Sequence, residues 1–239
     1  MLLLNSTLHP TARNLALEDA LLEEAEQGRW VLEYLRLWRP AEPFVVIGRG
    51  SKIAEEVNLA ATQNAGIPIF RRISGGAAIV AGPGCLLYAV MLSLKKRPHL
   101  AMVDEAHRFV MDQMTAALRS IQPQVAHDGT CDLVLAGRKF SGNSLRVRRE
   151  WLLYHGTILL DMNLEWIARY LKHPPREPGY REHRPHHEFV CNLGSSLETV
   201  EQLLANQWGA ASQNVELPLA LADQLVLEKY SQSSWNQQR

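Results

Sequence analysis

The spacing of apolar residues along the chain predicts helices interspersed among strands. The clearest helix covers 102–120, where the side chains that share one face are Val103, Ala106, Val110, Met114, Ala117 and Leu118. A second helix is predicted from Leu15 to Gly28, with Asn14 as its cap and Glu18 in its positively polarised first turn. The other predicted helices cover 55–65, 164–171, 197–207 and 219–230.

Apolar runs bounded by glycine and proline predict the strands. Residues 44–47 are apolar throughout, which is typical of a strand buried on both faces. The remaining predicted strands cover 34–38, 67–73, 77–81, 86–94 and 151–160, with a hairpin formed by 132–135 and 138–141. Residues 174–188 hold four prolines without a period, and we interpret them as a surface loop and a candidate lid over the site. This order predicts an α+β fold with a mixed, mostly antiparallel sheet and packed helices.

Composition and charge narrow the class of protein. The chain has 239 residues, of which 46% are apolar, enough to bury a core. Its 25 basic and 25 acidic residues cancel, which favours neither a nucleic-acid binder nor a membrane-surface protein. Cys85, Cys131 and Cys191 are too widely spaced for a zinc site or a disulfide framework, which predicts reduced thiols in a cytoplasmic protein. No apolar run approaches the length of a membrane span.

Two short stretches predict the functional site. Residues 71–80 read Arg-Arg-Ile-Ser-Gly-Gly-Ala-Ala-Ile-Val, and residues 137–144 read Gly-Arg-Lys-Phe-Ser-Gly-Asn-Ser. Each pairs cations with a Ser-Gly step, where small residues let backbone N–H groups approach anionic oxygens. We expect the two stretches to be the two walls of one site, which binds an acyl group joined to a nucleotide phosphate. Glycine pairs also occur in tight hairpins and paired arginines on solvated surfaces, so 71–76 alone does not decide the function.

Lys139 is the candidate catalytic residue. It lies in the predicted hairpin, next to Phe140 and just before Ser141 and Gly142. A lysine at the mouth of an apolar pocket can hold both a carboxylate and a phosphate, and a fixed cation stabilises the charge that builds when an acyl carbonyl is attacked. A lysine on an edge strand can also serve only to discourage aggregation.

The step His155-Gly156-Thr157 interrupts the apolar strand 151–160. A histidine in such a strand is commonly a hydrogen-bonded core residue. Gly156, however, indicates that another group approaches the strand closely. We therefore keep both interpretations, core residue and binding residue, for His155.

These residues together resemble the lipoate–protein ligase A family. The resemblance rests on the order of several motifs over nearly the whole chain: Asn14 to Glu18, Leu37 to Arg39, Val45 to Arg49, Arg71 to Gly76, Asp132 to Val134, Arg138 to Ser144, His155 to Leu160 and Tyr230 to Trp235. Each motif alone has low specificity, and the ordered set is fairly specific.

The resemblance implies a fold shared with biotin ligases and class II aminoacyl-tRNA synthetase cores, with residues 1–239 as one catalytic domain that has no C-terminal accessory domain. It implies that lipoate is activated with ATP and magnesium to lipoyl-AMP, and that the lipoyl group passes to a lysine of a carrier domain. That carrier is a 2-oxoacid dehydrogenase E2 or the glycine cleavage H protein. No tightly bound prosthetic group, nucleic acid or membrane is expected, and a separate accessory protein is a candidate partner.

The resemblance also assigns the site. Lys139 matches the catalytic lysine, and Asp132 an acidic position near the nucleotide and a candidate magnesium ligand. The expected substrate and nucleotide site comprises Arg72, Ser74, Gly75, Gly76, Ala77, Ala78, Ile79, Asp132, Ser141, Gly142, Asn143, His155, Gly156 and Thr157. The chain departs from the family pattern at Ala77, where a third glycine is usual, and at Ala81-Gly82, where the family has His-Asp.

Three alternatives stay open. An octanoyl or lipoyl transferase would take the acyl group from a carrier thioester without ATP and would need a cysteine nucleophile, for which Cys131 is the candidate and Cys191 the second choice. A biotin–protein ligase has only the faint support of Gly48-Arg49-Gly50. A non-catalytic lipoate-binding homologue is the third, because of Ala77, Ala81 and the expected lack of an accessory domain.

Overall fold

The apolar runs of the sequence form the strands of two sheets. The computed structural model describes residues 1–238. The strands are β1 (Leu2–Asn5), β2 (Tyr34–Trp38), β3 (Phe44–Ile47), β4 (Ile69–Arg71), β5 (Ile79–Ala81), β6 (Cys85–Ser93), β7 (Val125–Asp128), β8 (Asp132–Leu135), β9 (Arg138–Val147) and β10 (Trp151–Leu159). The helices are α1 (Ala12–Glu26), α2 (Ile53–Glu56), α3 (Leu59–Asn64), α4 (Val103–Arg119), α5 (Glu165–Tyr170), α6 (His186–Phe189), α7 (Leu197–Gln207), α8 (Leu219–Leu225) and α9 (Ser233–Asn236).

The larger sheet has seven strands in the order β1-β2-β6-β10-β9-β8-β7. Only the β1–β2 pair in it is parallel, and its other neighbours are antiparallel. The smaller sheet, in the order β4-β3-β5, has one parallel and one antiparallel pair. The prediction of an α+β fold with a mixed, mostly antiparallel sheet is confirmed.

Helices cover both faces of the large sheet. Side chains alternate along β6, so that Leu87, Ala89 and Met91 join one core cluster with α1 while Leu86, Tyr88 and Val90 join a second cluster with α4. Every residue of β6 is buried, and so is every residue of β3, as the apolar run 44–47 predicts. No helix among residues 1–238 combines the length and the apolar character that crossing a bilayer requires.

Several predicted boundaries were wrong. α1 begins at Ala12 after Thr11, so Asn14 lies inside the helix and does not cap it. The Asn14 side chain instead accepts hydrogen bonds from the Leu8 N–H and from Arg36. Glu18 is consequently in the middle of α1 and not in its first turn. These contacts tie the helix to the chain before it and to β2, and the sequence alone does not reveal such long-range partners.

Other elements are divided differently from the prediction. The helix predicted at 55–65 is split into α2 and α3, with Val57 extended between them. The segments 77–81 and 86–94 flank one turn but enter different sheets, because β5 pairs with β3 whereas β6 pairs with β10. β9 runs on to Val147, well beyond the predicted hairpin. Residues 174–188 include a 3-10 turn at Gly179–Arg181 and the start of α6.

Candidate active site

Two cavities meet between the sheets, and most of the predicted site residues line one or both of them. We name the first the α1-side cavity; it has a volume of about 670 Å³ and is lined by residues that include Leu15, Glu18, Trp38, Val46, Arg72, Gly76, Leu87, Tyr88, Asn143, Ser144, His155 and Gly156. We name the second the loop-side cavity; it has a volume of about 810 Å³ and is lined by residues that include Glu56, Ser141, Leu171, Lys172, Arg176, Pro178, Arg181, His186 and Phe189. Both volumes include the open mouths. Both cavities share Ala77, Ala78, Ile79, Lys139, Gly142 and Thr157.

The cavities differ in chemistry. Apolar side chains from α1, β2, β3 and β6 form much of the α1-side wall. The loop-side wall adds three cations, Lys172, Arg176 and Arg181, to apolar residues of α5 and α6. Apolar side chains line much of both cavities, the loop-side cavity has more cations, and Lys139 lies at the boundary between them.

Residues 74–78 form a bend whose carbonyl groups turn toward Arg72. The Arg72 guanidinium is buried and donates to the carbonyl oxygens of Gly75 (2.5 Å), Ala77 (3.0 Å) and Val46 (3.3 Å). Burial lowers the pKa of Arg72 to about 10, so it remains a cation at neutral pH. Its charge thus fixes the shape of the bend from behind.

Glycine is required where the bend meets the strand end after β3. A Cβ on Gly48 would lie 1.9 Å from the Gly76 carbonyl oxygen, closer than any side chain can approach. Gly76 itself has a φ of +86°, in the region that favours glycine. The pairing of Gly48 with Gly76 explains why both stretches carry glycines.

The backbone of the bend offers hydrogen-bond donors. Ala78 N–H donates to the buried Glu56 carboxylate at 2.5 Å, so this donor is occupied. Among residues 1–238, no acceptor is recorded for the N–H groups of Gly76 and Ala77. Free N–H groups at a cavity wall can bind anionic oxygens.

A buried chain of hydrogen bonds supports the α1-side wall. Ser74 Oγ lies 2.5 Å from His155 Nε2, and His155 Nδ1 lies 2.6 Å from Glu18. Glu18 also accepts from Arg36, which is fully buried, and from Trp38. With Nδ1–H donating to Glu18, the Ser74 hydroxyl donates to Nε2. The chain connects the bend, β10, α1 and β2, so it holds four elements of the wall in one register.

Lys139 is held by a carboxylate. Its ammonium lies 2.7 Å from one oxygen of Asp132, and the other oxygen of Asp132 accepts from the Tyr180 hydroxyl at 2.9 Å. Lys139 keeps 27% of its side chain exposed, whereas Asp132 keeps 9%. Asp132 therefore positions the ammonium at the junction of the cavities, and the ammonium stays accessible to a ligand.

Asn143 and Gly156 form a second tight contact. Tyr88 donates to Asn143 Oδ1 at 2.5 Å, and Asn143 donates to the Cys131 carbonyl at 2.7 Å. A Cβ on Gly156 would lie 1.8 Å from Asn143 Oδ1. The close approach predicted for Gly156 is therefore made by Asn143.

The two candidate nucleophilic thiols are protonated at neutral pH. Burial, followed by the charge of Asp132, raises the pKa of Cys131 to about 11. The Cys131 thiol donates to the Asn143 carbonyl at 2.9 Å. Burial also raises the pKa of Cys191. Neither cysteine is among the residues that line the two cavities.

The proline-rich segment lies over the loop-side cavity. Five of its residues line that cavity: Pro174, Arg176, Pro178, Arg181 and His186. The segment, residues 174–188, is anchored to the β8–β9 hairpin, since Arg184 donates to the Gly137 carbonyl and Arg138 donates to the His187 carbonyl. Its predicted position over the site agrees with this arrangement.

The family described as "Lipoyl protein ligase A/B catalytic domain" matches residues 10–208. The chain belongs to this family.

Relatives of the chain within the lipoyl protein ligase A/B family carry two different names. The chain is 30% identical over 158 residues to a "Probable lipoate-protein ligase A" of Mycoplasma pneumoniae, a match that covers 66% of this chain and 45% of the relative. It is 25% identical over 266 residues to "Octanoyltransferase LipM" of Geobacillus kaustophilus, a match that covers 96% of this chain and 95% of the relative. The chain thus spans about half the length of the first ligases that it matches.

Solved structures show the same fold. A lipoate-protein ligase A bound with ATP has a TM-score of 0.81 at 22% identity, covering 99% of this chain and 98% of that one. A bi-partite lipoate protein ligase from Thermoplasma acidophilum, described with its E2 lipoyl domain, has a TM-score of 0.80 at 23% identity, covering 99% and 95%. The likeness at this identity establishes the fold of lipoate ligase catalytic domains.

Most of the residues predicted for the site line one or both cavities in this lipoyl ligase family fold. Those that do are Arg72, Gly76, Ala77, Ala78, Ile79, Lys139, Ser141, Gly142, Asn143, His155, Gly156 and Thr157. The other three lie behind the wall, where Ser74 bonds His155, Gly75 bonds Arg72 and Asp132 bonds Lys139. These contacts make the three residues supports of the wall.

Sequence reasoning missed the carboxylates Glu18 and Glu56. Glu18 lies on an otherwise apolar helix face, four residues after Asn14, and both residues bond Arg36. Such a pair of polar residues within an apolar stripe is a usable signal. Glu56 gives no comparable signal, because its contact with Ala78 joins residues 22 positions apart.

Proposed function

We propose that the protein is a lipoate–protein ligase, which activates lipoate with ATP and transfers the lipoyl group to a lysine of a carrier domain. The observation that carries the proposal is the junction, at the ammonium of Lys139, of two largely apolar cavities of which the loop-side one has more cations. A mixed anhydride of a fatty acid and a nucleotide has an apolar chain, an acyl phosphate and a polar nucleoside in that order. The two cavities and Lys139 supply matching surroundings in the same order.

The α1-side cavity suits the acyl chain. Leu15, Trp38 and Leu87 present apolar surface there, and the buried chain from Glu18 to Ser74 holds the wall in place. A preformed wall reduces the ordering cost when a flexible aliphatic chain binds.

The loop-side cavity suits the nucleotide. Lys172, Arg176 and Arg181 bring positive charge to it, and the free N–H groups of Gly76 and Ala77 lie in the bend between the cavities. Charged donors and backbone N–H groups bind phosphate oxygens strongly. ATP would therefore bind with its phosphates at the bend and its adenosine beneath the proline-rich segment.

The reaction has two steps. An oxygen of the lipoate carboxylate attacks the α-phosphorus of ATP, the bond to the β-phosphate oxygen breaks, and pyrophosphate leaves. The carrier lysine amine then attacks the acyl carbonyl and loses a proton, the bond from the carbonyl carbon to the phosphate oxygen breaks, and AMP leaves. Lys139 stabilises the negative charge that builds on oxygen in both steps, since Asp132 holds its ammonium at the junction.

Magnesium would accompany ATP. Among residues 1–238 there is no group of three metal-ligating side chains that could hold an ion by itself. Magnesium at phosphates needs only one or two carboxylates in addition to the phosphate oxygens and water. Asp132 has a further lone pair on each oxygen, but it lies behind the cavity wall and pairs with Lys139, so its position does not fit a direct ligand of an ion at the phosphates. The ion would neutralise phosphate charge.

The proposed partners are a lipoyl carrier domain and a separate accessory protein. The carrier would be an E2 lipoyl domain or a glycine cleavage H protein. The Thermoplasma acidophilum relative is described as a bi-partite ligase together with its E2 lipoyl domain. That description supports a ligase whose second part is a different chain.

An ATP-independent octanoyl or lipoyl transferase is the second candidate, because the match to LipM covers nearly all of both chains. The position and the raised pKa of Cys131 favour the ligase, since this thiol is protonated and does not line the cavities. A transferase would have to use another nucleophile or rearrange around Cys131.

Mass spectrometry of a carrier domain tests the proposal. The wild-type protein, with and without an accessory protein from the same source, is incubated with an apo-lipoyl domain, lipoate and magnesium, in the presence or absence of ATP. A lipoyl mass increase that requires ATP is expected. A mass increase that instead requires an acyl-carrier thioester, with or without ATP, would replace the ligase with the transferase.

A further inference from the structure

A third pocket contains an unusual concentration of positive charge. We name it the arginine pocket; it has a volume of about 450 Å³ and is lined by Arg49, Arg146, Arg148, Lys229, Asp19, Ile73 and Trp235. It lies on the α1 face of the large sheet, outside the two cavities described above. The chain as a whole has no net charge, so this local excess is a property of the fold.

The acid in the pocket does not neutralise the arginines. Asp19 is engaged by Lys229 at 2.6 Å and by the Tyr230 hydroxyl at 3.2 Å. Among residues 1–238, no acceptor within hydrogen-bond or salt-bridge distance is recorded for the guanidinium groups of Arg49, Arg146 and Arg148. Partial burial, followed by the charges of Arg49 and Arg148, lowers the pKa of Arg146. Three guanidinium groups and Lys229 therefore share one pocket with a single carboxylate, Asp19, which already pairs with Lys229.

The arginine pocket continues the row of the two cavities along β9. Alternate residues of a strand point to the same face, so Gly142, Ser144 and Arg146 share a face. Gly142 lies at the junction of the cavities and Ser144 lines the α1-side cavity. With a rise of about 3.3 Å per residue, Arg146 lies about 13 Å from Gly142 along the strand.

The pocket is also joined to the bend. Ile73 precedes Ser74 directly, and the Arg49 N–H donates to the Ser74 carbonyl at 2.8 Å. A molecule bound in the arginine pocket would therefore lie next to the bend 74–78, which forms part of the wall of the α1-side cavity.

We propose that the arginine pocket is the docking surface for the carrier protein, and that it binds an acidic patch beside the carrier's acceptor lysine. This inference rests on the proposed function, because it names the surface on which the same reaction receives its second substrate. A typical protein interface covers about 800 Å² of each partner, so a domain centred on the arginines extends along β9 toward Ser144 and Gly142. Uncompensated arginines at the rim attract an acidic partner and orient it.

The proposed docking surface is tested by measuring how tightly an unmodified carrier domain binds when no reaction takes place. The probe is a fluorescently labelled apo-lipoyl domain of an E2 protein, titrated with the wild-type protein and with Arg146→Glu/Arg148→Glu at low and high ionic strength. We expect the double variant to bind about tenfold or more weakly at low salt, and the difference to shrink at high salt. The matched control is Arg108→Glu, an exposed arginine of α4 on the opposite face of the sheet, which should bind like the wild type.

The result does not depend on catalysis, so it separates docking from the proposed function. Formation of lipoyl-AMP is measured in parallel on the wild-type protein, and its absence would contradict the proposed function alone. If the double variant unfolds at a lower temperature than the wild type, Arg49→Gln and the salt dependence of wild-type binding replace it. Equal binding by wild-type and arginine variants overturns the docking proposal, and so does tighter arginine-dependent binding of an acyl-carrier protein than of the lipoyl domain.

Discussion

The two cavities are built in different ways. The α1-side wall is tied together by buried groups, with Ser74, Glu18 and Arg36 each at most 3% exposed. The loop-side wall depends on exposed cations, Lys172 and Arg176, and on a segment of short turns that is anchored to a hairpin. The α1-side wall is thus held by buried contacts of the core, whereas the loop-side wall consists largely of a surface segment.

Under the proposed function, this difference in construction matches the two parts of the substrate that the cavities would bind. A wall made of core elements keeps its shape without a ligand, which suits an aliphatic chain that brings few directional contacts. A surface segment can adjust its side chains to a nucleotide and gains charge-assisted hydrogen bonds when it does so. Changes at the junction should therefore affect both substrates, changes in the α1-side wall should affect shape and stability, and changes on the loop side should affect nucleotide binding.

The largest effect is expected at the junction, from Lys139→Met. Loss of the ammonium that serves both cavities should reduce lipoylation by about a hundredfold to a thousandfold. The thermal unfolding temperature should fall to a limited extent, since Asp132 loses its ion pair but keeps the hydrogen bond from Tyr180. The assay is the initial rate of carrier lipoylation, with Lys52→Met as control, an exposed lysine that pairs with Glu55. A folded Lys139 variant with wild-type activity would show that the cavities do not act through this residue.

The next largest effect is expected in the fixed wall, from Gly48→Ala. The added methyl group would overlap the Gly76 carbonyl, so the bend must move, with a loss of about 1–3 kcal/mol in the free energy of unfolding. Activity should fall with it, because the displaced bend carries the donors between the cavities. Gly50→Ala is the matched control two residues away, where an added Cβ meets nothing within 4 Å. Chemical denaturation and lipoylation rates measure both, and equal behaviour of the two variants would contradict a rigid wall.

A smaller effect is expected on the adjustable side, from Arg176→Ala. Removing one exposed cation from the loop-side cavity should raise the KM for ATP severalfold, in keeping with a loss of about 1 kcal/mol for a partly screened contact. The KM for lipoate should not change. Steady-state kinetics in which ATP and lipoate are varied in turn would measure the two KM values separately. An increase confined to the KM for lipoate would mean that the assignment of the cavities is reversed.

No loss of transfer is expected from Cys131→Ser. Because burial raises the pKa of the Cys131 thiol to about 11, only about one molecule in ten thousand carries the thiolate at neutral pH. Alkylation of this thiol should be slow at neutral pH and should accelerate as the pH rises toward that value. Rates of iodoacetamide labelling, followed by mass spectrometry, measure this profile. Rapid labelling at neutral pH, together with inactivation by Cys131→Ser, would favour the transferase.

The fixed wall was more predictable from the sequence than the adjustable one. The apolar run of β3 and the position of Gly156 in β10 carry local signals, namely a strand buried on both faces and a close approach. The bend and Lys139 were found because small residues and cations stand side by side in the sequence. These signals need only neighbouring residues.

The remaining contacts could not be predicted because they join distant parts of the chain. The Glu56–Ala78 hydrogen bond and the Tyr180–Asp132 hydrogen bond link residues on separate elements, and no local pattern encodes either of them. Arg71, the first residue of the stretch 71–80, is buried and donates to the Trp235 carbonyl near the end of the chain. The sequence gives its charge, whereas tertiary structure determines its partners.

A crystal structure of the protein with a stable lipoyl-AMP analogue, such as the acyl sulfamate of adenosine, tests the central claim most directly. The account predicts the aliphatic chain in the α1-side cavity, the adenosine in the loop-side cavity, and the Lys139 ammonium about 3 Å from the oxygens that join them. An analogue that lies in one cavity alone, or that leaves Lys139 paired with Asp132 and out of contact, would contradict it.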